Sequence, residues 1–367
     1  MRAGRPARHR DVMSGRAREC RAAGSRAGRR CLQRLAAGLL LAPWALALAT
    51  PAVAAPLDVR NQHPVQLTLI HAPVQAATPP AQGHEASAQL HWTSLWLRPG
   101  RGADELATDG ELLRLSLGGR WAIAPRWELA WRLPLLYASG GLLDPTIEDW
   151  HRLWGLPQNE RTDFARDRYE VAAFRGRNAV SRGGRAYALA EDRALLGDSA
   201  LFLSWLWPPA GGDTPPRHAL RFGLEAPTAD AEQGGGNGGW DAYLGLLSSG
   251  RWGTNAGRAW HVWAGHAWVH TPRAARAQGL DYANVASAGL AAEWPLAARW
   301  GLRGQLGWEQ STLRRLRDSH ARRDQLLLWL GAEFALGAGR SLSLGFSEDL
   351  VADVSPDISF FVELRWQ

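Results

Sequence analysis

Residues 126–137 read RWELAWRLPLLY, and their reading decides the fold. Trp127, Leu129, Trp131, Leu133, Leu135 and Tyr137 take every odd position, while Arg126, Glu128 and Arg132 stand at even ones. A period of two puts one set on each face of an extended strand; a helix would scatter both sets around its circumference. The pattern returns in RHALRFGLEA (217–226), where Leu220, Phe222 and Leu224 oppose Arg217, Arg221 and Glu225. RWGLRGQLGWE (299–309) sets Trp300, Leu302, Leu306 and Trp308 against Arg299, Arg303, Gln305 and Glu309. RSLSLGFS (340–347) and DISFFVELRWQ (357–367) repeat it.

Extended along the chain, this period predicts twelve strands, near 86–98, 111–119, 126–137, 197–207, 217–226, 239–249, 258–270, 284–295, 299–311, 323–336, 340–349 and 357–366. Most have the length a tilted strand needs to cross a bilayer. Their connections alternate between short turns (120–125, 208–216, 250–257, 296–298, 337–339) and longer polar loops (99–110, 138–196, 227–238, 271–283, 312–322). That is the layout of an all-β, transmembrane, antiparallel up-and-down barrel of about twelve strands, within a range of roughly ten to fourteen. An even count places both chain ends on the short-turn, periplasmic side. A soluble β-sandwich also alternates. The nineteen Trp beyond residue 54, many near strand ends, favour the barrel because indoles settle at the bilayer interface.

The basic balance of the whole chain, +7, comes from its start. Residues 1–54 hold eleven Arg against Asp11 and Glu19, leaving 31 Arg and 33 acidic residues beyond them. A nucleic-acid partner read from the charge therefore fails. The basic stretch to Arg34, the apolar LAAGLLLAPWALALA from Leu35 and the small AVA at Ala52–Ala54 form a secretory signal cut after Ala54, with Met13 an alternative start. Both cysteines, Cys20 and Cys31, lie in that leader, so the exported part offers no thiol ligand or nucleophile. Residues 55–85 precede the first strand that the period of two marks, and either enter the lumen as a plug or add a strand.

One stretch breaks the period. GGLLDPTIEDWHRLWGLPQNER, Gly140 to Arg161, carries a helical pattern over 145–154 inside the longest loop. Asp144 suits the N-cap, Pro145 the first helical position, Gly155 the C-terminal stop, and Pro157 prevents resumption. Ile147, Trp150, His151 and Trp154 share one face, and Glu148 and Arg152 are spaced to pair at i, i+4. So short a helix is marginal alone and must pack on something. Asp144, Glu148, Trp150, His151, Trp154 and Arg161 are accordingly candidate gate or lid residues. Together with VRNQHP (59–64), DGELLRLSL (109–117) and LGDSAL (196–201), this segment resembles an uncharacterised bacterial cell-envelope family, domain of unknown function 3187. The resemblance spans nearly the whole exported chain and implies an outer-membrane barrel, without indicating an activity. Trp150 and Trp154 stand where another aromatic is expected, a change that keeps the packing role.

The polar face of the strands supplies lumen-lining candidates: Arg126, Glu128, Arg132, Arg221, Glu225, Arg303, Glu309 and Glu333. Arg at the lipid midplane costs roughly 2–4 kcal/mol, so these charges belong inside. Glu148 and His151 form a single Glu-x-x-His, too few ligands for a di-metal site, and no cofactor motif accompanies QGGGNGG at 233–239. A channel for small solutes is the leading reading; a non-conducting structural or surface-interaction barrel is the alternative. A third reading is a lipid-cleaving hydrolase built on a Ser and one of His91, His151, His218, His261, His266, His270 or His320, although no Gly-x-Ser-x-Gly run is present. The implied partners are outer-membrane lipids, lipopolysaccharide, the barrel-assembly machinery and a small solute.

Overall fold

Alternation becomes geometry in the third strand, where Glu128 is 1% exposed and Trp127 38%. One face of each strand turns into the protein and the other away from it. The computed structural model describes residues 56–72, 80, 83–97, 102–155, 165–176, 184–208, 216–252, 258–351, 356 and 358–367, with only the backbone at 150 and 154. The expected leader 1–54 and Arg161 lie outside the described residues.

The strands in chain order are β1 (His84–Leu97), β2 (Glu105–Ala124), β3 (Trp127–Ser139), β4 (Glu170–Phe174), β5 (Arg185–Ala188) and β6 (Ala194–Leu196). There follow β7 (Ser199–Leu206), β8 (Arg217–Ala226), β9 (Asp241–Arg251), β10 (Ala259–Trp268) and β11 (Val285–Ala297). The last four are β12 (Trp300–Glu309), β13 (Gln325–Gly337), β14 (Arg340–Asp349) and β15 (Ile358–Trp366). All except β4, β5 and β6 form the ring: each pairs antiparallel with the next, β3 with β7, and β15 returns to β1 from Ala86↔Trp366 to Ser94↔Ile358. The protein is thus a closed antiparallel barrel of twelve strands, and closure removes the edges that would otherwise template aggregation.

The outward set is apolar along the strands: Leu201, Phe222, Leu246, Val262, Leu290, Leu302, Leu330, Leu344 and Phe360 are all exposed. Near the short-turn end the aromatics gather, with Trp121 stacked on Trp131, Trp300 stacked on Phe334, and Trp252 tilted against Trp294 at 6.1 Å. An apolar band edged by aromatics suits hydrocarbon bounded by headgroups. No helix among the described residues is long and apolar enough to cross a membrane. The turn from β13 to β14 is Ala338-Gly339, both with positive φ (49° and 71°), the type I′ geometry that matches strand twist.

Two differences from the sequence reading concern the 138–196 connection. β2 begins six residues before its expected start, and its extra residues pair with β4, from Glu105↔Phe174 to Asp109↔Glu170. β5 adds to β4, and β6 pairs the far end of β3. This connection therefore extends the sheet past the ring on the long-loop side. Strands of three to five residues leave too short an alternation to be seen in sequence.

Candidate functional site

The buried N-terminal segment organises the interior. Pro56 to Ile70 is almost wholly buried, and its contacts come from strands all around the ring. Asp58 accepts two bonds from Arg132 Nη2 on β3, both at 2.7 Å, while its carbonyl accepts one from Gln89 on β1 at 2.7 Å. Arg365 on β15 donates to the Pro56 carbonyl at 2.9 Å. The Ile70 amide donates to Asp241 of β9 at 3.2 Å, and His71 Nδ1 lies 3.3 Å from Glu309 of β12. Leu57 and Val59 pack with Leu327, Trp329 and Phe361 from β13 and β15. Only a segment running inside the ring can reach all of these strands.

Its local shape follows from sequence. His63 is extended (φ −61°, ψ 127°), as the residue before a proline is biased to be. Pro64 then opens a single helical turn, Pro64–Leu67, and Thr68 Oγ1 closes it by donating to the Val65 carbonyl at 2.7 Å. Val65, Leu67, Leu69 and Ile70 join the main apolar cluster. Among the described residues, small cavities of about 10 to 20 Å³ border the segment beside Asp58, Arg60, His63 and His71, each with room for a water molecule.

Burial alone would raise the Asp58 carboxyl, but the charge and hydrogen bonds of Arg132, with Arg365 behind, hold it below its ordinary 3.8. Burial pushes His63 down to about 4, only partly opposed by Glu309. Arg60 is brought down to about 10 by burial, against the pull of Glu309 and Glu225.

Of the lumen-lining candidates, Glu128, Arg132, Arg221, Glu225, Arg303, Glu309 and Glu333 are buried on the inward face. Arg126 is not: it sits exposed in the Pro125-Arg126 turn between β2 and β3, where the chain has left the strand period. The inward charges interlock. Glu128 receives Arg120 at 2.6 Å and Arg221 at 3.4 Å, and Arg221 also donates to Ser204 at 2.8 Å. Arg303 binds Glu333 and lies 3.9 Å from Glu293; Arg365 pairs Glu363 at 2.9 Å. Glu225 instead faces Asp241 across the β8–β9 ladder, and one of its buried oxygens has no hydrogen-bond partner among the described residues.

The gate candidates sit on a helix, Asp144–Trp154, ended by Gly155 at φ 65°. Its start differs from expectation. Leu143 takes the N-cap position, and the cap is supplied from outside by Glu111 of β2, which accepts from the Leu142 and Leu143 amides. Asp144 instead accepts from the Asp167 amide at 2.9 Å. Glu148, buried, is bound by Arg166, and Arg152 pairs Asp149, so the expected Glu148–Arg152 pair is not formed. Glu148 is taken by a partner outside the helix, Arg166, and Arg152 by an i, i+3 neighbour within it, Asp149. Ile147 is buried, His151 half-buried and Leu153 exposed.

This is an outer-membrane β-barrel whose lumen is occupied by its own N-terminal segment. The chain belongs to the family described as "Protein of unknown function (DUF3187)", which it matches over residues 39–367. No curated protein sequence matches it. Among solved structures it is similar to the COG4313 outer membrane channel from Pseudomonas putida F1, at 13% identity and TM-score 0.46 over 77% of this chain and 94% of that one. It is also similar to the transport unit of the autotransporter AIDA-I from Escherichia coli, at 10% identity and TM-score 0.43 over 78% and 90%. The toluene transporter TbuX of Ralstonia pickettii matches at 10% identity and TM-score 0.36, over 87% and 96%.

Proposed function

We propose that the barrel is a channel for small solutes, closed at rest by residues 56–72, with the Gly140–Arg161 segment as a second gate at the long-loop end. The observation that carries this reading is the polar fastening of the segment. Its ends are held by Asp58–Arg132 and Ile70–Asp241, bonds that water can replace if the segment leaves. Behind it stands a wall bearing both signs of charge, which would line an aqueous path with little preference between cations and anions. Outer-leaflet lipopolysaccharide and the barrel-assembly machinery are the partners this reading implies.

The test is single-channel conductance in planar bilayers. Full-length protein should show rare, brief openings, a variant lacking residues 56–72 steady conductance, and one lacking 140–161 more frequent openings. A folded barrel without 56–72 that passes no current would favour the non-conducting structural alternative. Unchanged conductance on removing 140–161 would rule out the second gate alone.

A further inference from the structure

Three neighbouring strands bring a serine, a histidine and a glutamate into one hydrogen-bonded line on the inner wall. Ser249 Oγ of β9 lies 2.8 Å from His261 Nδ1 of β10, and His261 Nε2 lies 2.8 Å from Glu293 Oε1 of β11. Ladder register is responsible. Ser249 and His261 are directly opposed, and Glu293 faces Ala259, two residues from His261 on the same face. All three are buried. They stand toward the short-turn end, where β9 finishes at Arg251 and β10 begins at Ala259.

Two further features surround the serine. Arg217 of β8 is its direct cross-strand partner on the other side. It is exposed at the rim, and it forms no hydrogen bond or ion pair among the described residues. One step deeper on the same face, Leu206, Ala219, Leu247 and Trp263 pack into an apolar patch. A nucleophile, a base, a group orienting the base, a cation and a greasy surface thus adjoin one another.

The partners assign the tautomer. Glu293 accepts the Nε2 proton, so Nδ1 carries the lone pair that receives the Ser249 hydroxyl proton. This is the nucleophile–base–orienter arrangement of acyl-transfer enzymes, which is recognised by geometry and not by chain order. Strand amides are engaged in the ladder, so charge developing on a substrate oxygen must be met by a side chain, and Arg217, opposite Ser249 in the ladder, is a cation on the same face.

We propose that Ser249, His261 and Glu293 form a hydrolytic centre for carboxylic esters with an apolar acyl part, entered from the periplasmic mouth, with Arg217 facing the ester oxygen. Ser249 Oγ attacks the carbonyl carbon as its proton passes to His261 Nδ1. The carbon–oxygen bond to the alcohol breaks, and the alcohol leaves with that proton. Water, deprotonated by His261, then attacks the acyl-serine, releasing the acid and restoring the hydroxyl. The inference does not depend on conduction.

A structural chain of hydrogen bonds and ion pairs continuing from Glu293 through Arg303 to Glu333 would place the same atoms at the same distances, so the experiment must read chemistry. The full-length protein, purified from outer membranes in detergent, is treated with a fluorophosphonate probe and, separately, with p-nitrophenyl esters of increasing chain length. We expect covalent label on Ser249, located by mass spectrometry, and hydrolysis that improves with acyl length. Hydrolysis should fall roughly 10³-fold or more in Ser249→Ala and in His261→Gln, and Arg217→Gln should lower kcat more than it raises KM. The labelling uses unmodified protein, so it stands even if a variant fails to fold. Folded protein that takes no label, label on a different serine, or hydrolysis unchanged in Ser249→Ala would each overturn the proposal.

Discussion

Asp58→Asn removes one charge from the lumen with almost no change in shape. In the native protein both Asp58 oxygens lie 2.7 Å from Arg132 Nη2, and the two side chains are 16% and 10% exposed. At an effective dielectric of about 20, opposite charges about 4 Å apart attract by roughly 4 kcal/mol. Removing one partner of a buried pair commonly costs about 3–5 kcal/mol, because the other is left uncompensated. The barrel can relieve that cost by releasing the segment and letting water reach Arg132. At about 1.4 kcal/mol per tenfold, the ratio of docked to released segment should fall by roughly 10² to 10³. Open probability in planar bilayers and protease access to residues 56–72 should rise together. Adding Arg132→Gln should restore part of the docking, since the orphaned cation is then gone. A folded Asp58→Asn barrel with native open probability and native protection would refute the argument.

The same carboxyl has a folded pKa below its ordinary 3.8, so its contribution is complete above 3.8 and is lost only as pH falls through the lower folded value. His63 covers a different window. Its pKa drops from 6.5 to about 4 on burial, so docking is fully supported above 6.5 and weakens as pH falls from 6.5 toward 4. The total is about 3 kcal/mol, and His63→Gln should flatten protease access over that range; an unchanged slope would show that other groups set it. On the outer face, Leu246 is 54% exposed in the middle of β9, between Leu220 and Ala264. Leu246→Arg should cost roughly 2–4 kcal/mol in denaturant unfolding from liposomes, and no loss would count against a hydrocarbon-facing surface there.

How much could be read beforehand depended on how local the signal was. Trp127 to Tyr137 showed both faces of its strand, and parity set Arg132, Glu128 and Arg221 on the polar face, where all three are buried. Arg126 failed because parity says nothing once the chain turns. The helix at Asp144–Trp154 was legible from its proline, glycine and spacing, but its cap was not: the Leu142 and Leu143 amides are held by Glu111 of β2, and Asp144 accepts from Asp167. Of Ser249, His261 and Glu293, only His261 stood among the candidate residues of the hydrolase reading. Their meeting was not legible, since Ser249 and His261 are 12 residues apart and His261 and Glu293 are 32 apart.

The amino-acid order by itself pointed to about twelve spanning strands, within ten to fourteen, and to the apolar side of each, because a period of two is a property of a single segment; that the ring closes at twelve came from the strand pairing. Tertiary structure alone decided which inward residues touch and what fills the bore. Those depend on register between strands remote in the chain, and on a 17-residue stretch, 56–72, whose mixed polar and apolar side chains find partners only once the ring has closed around them.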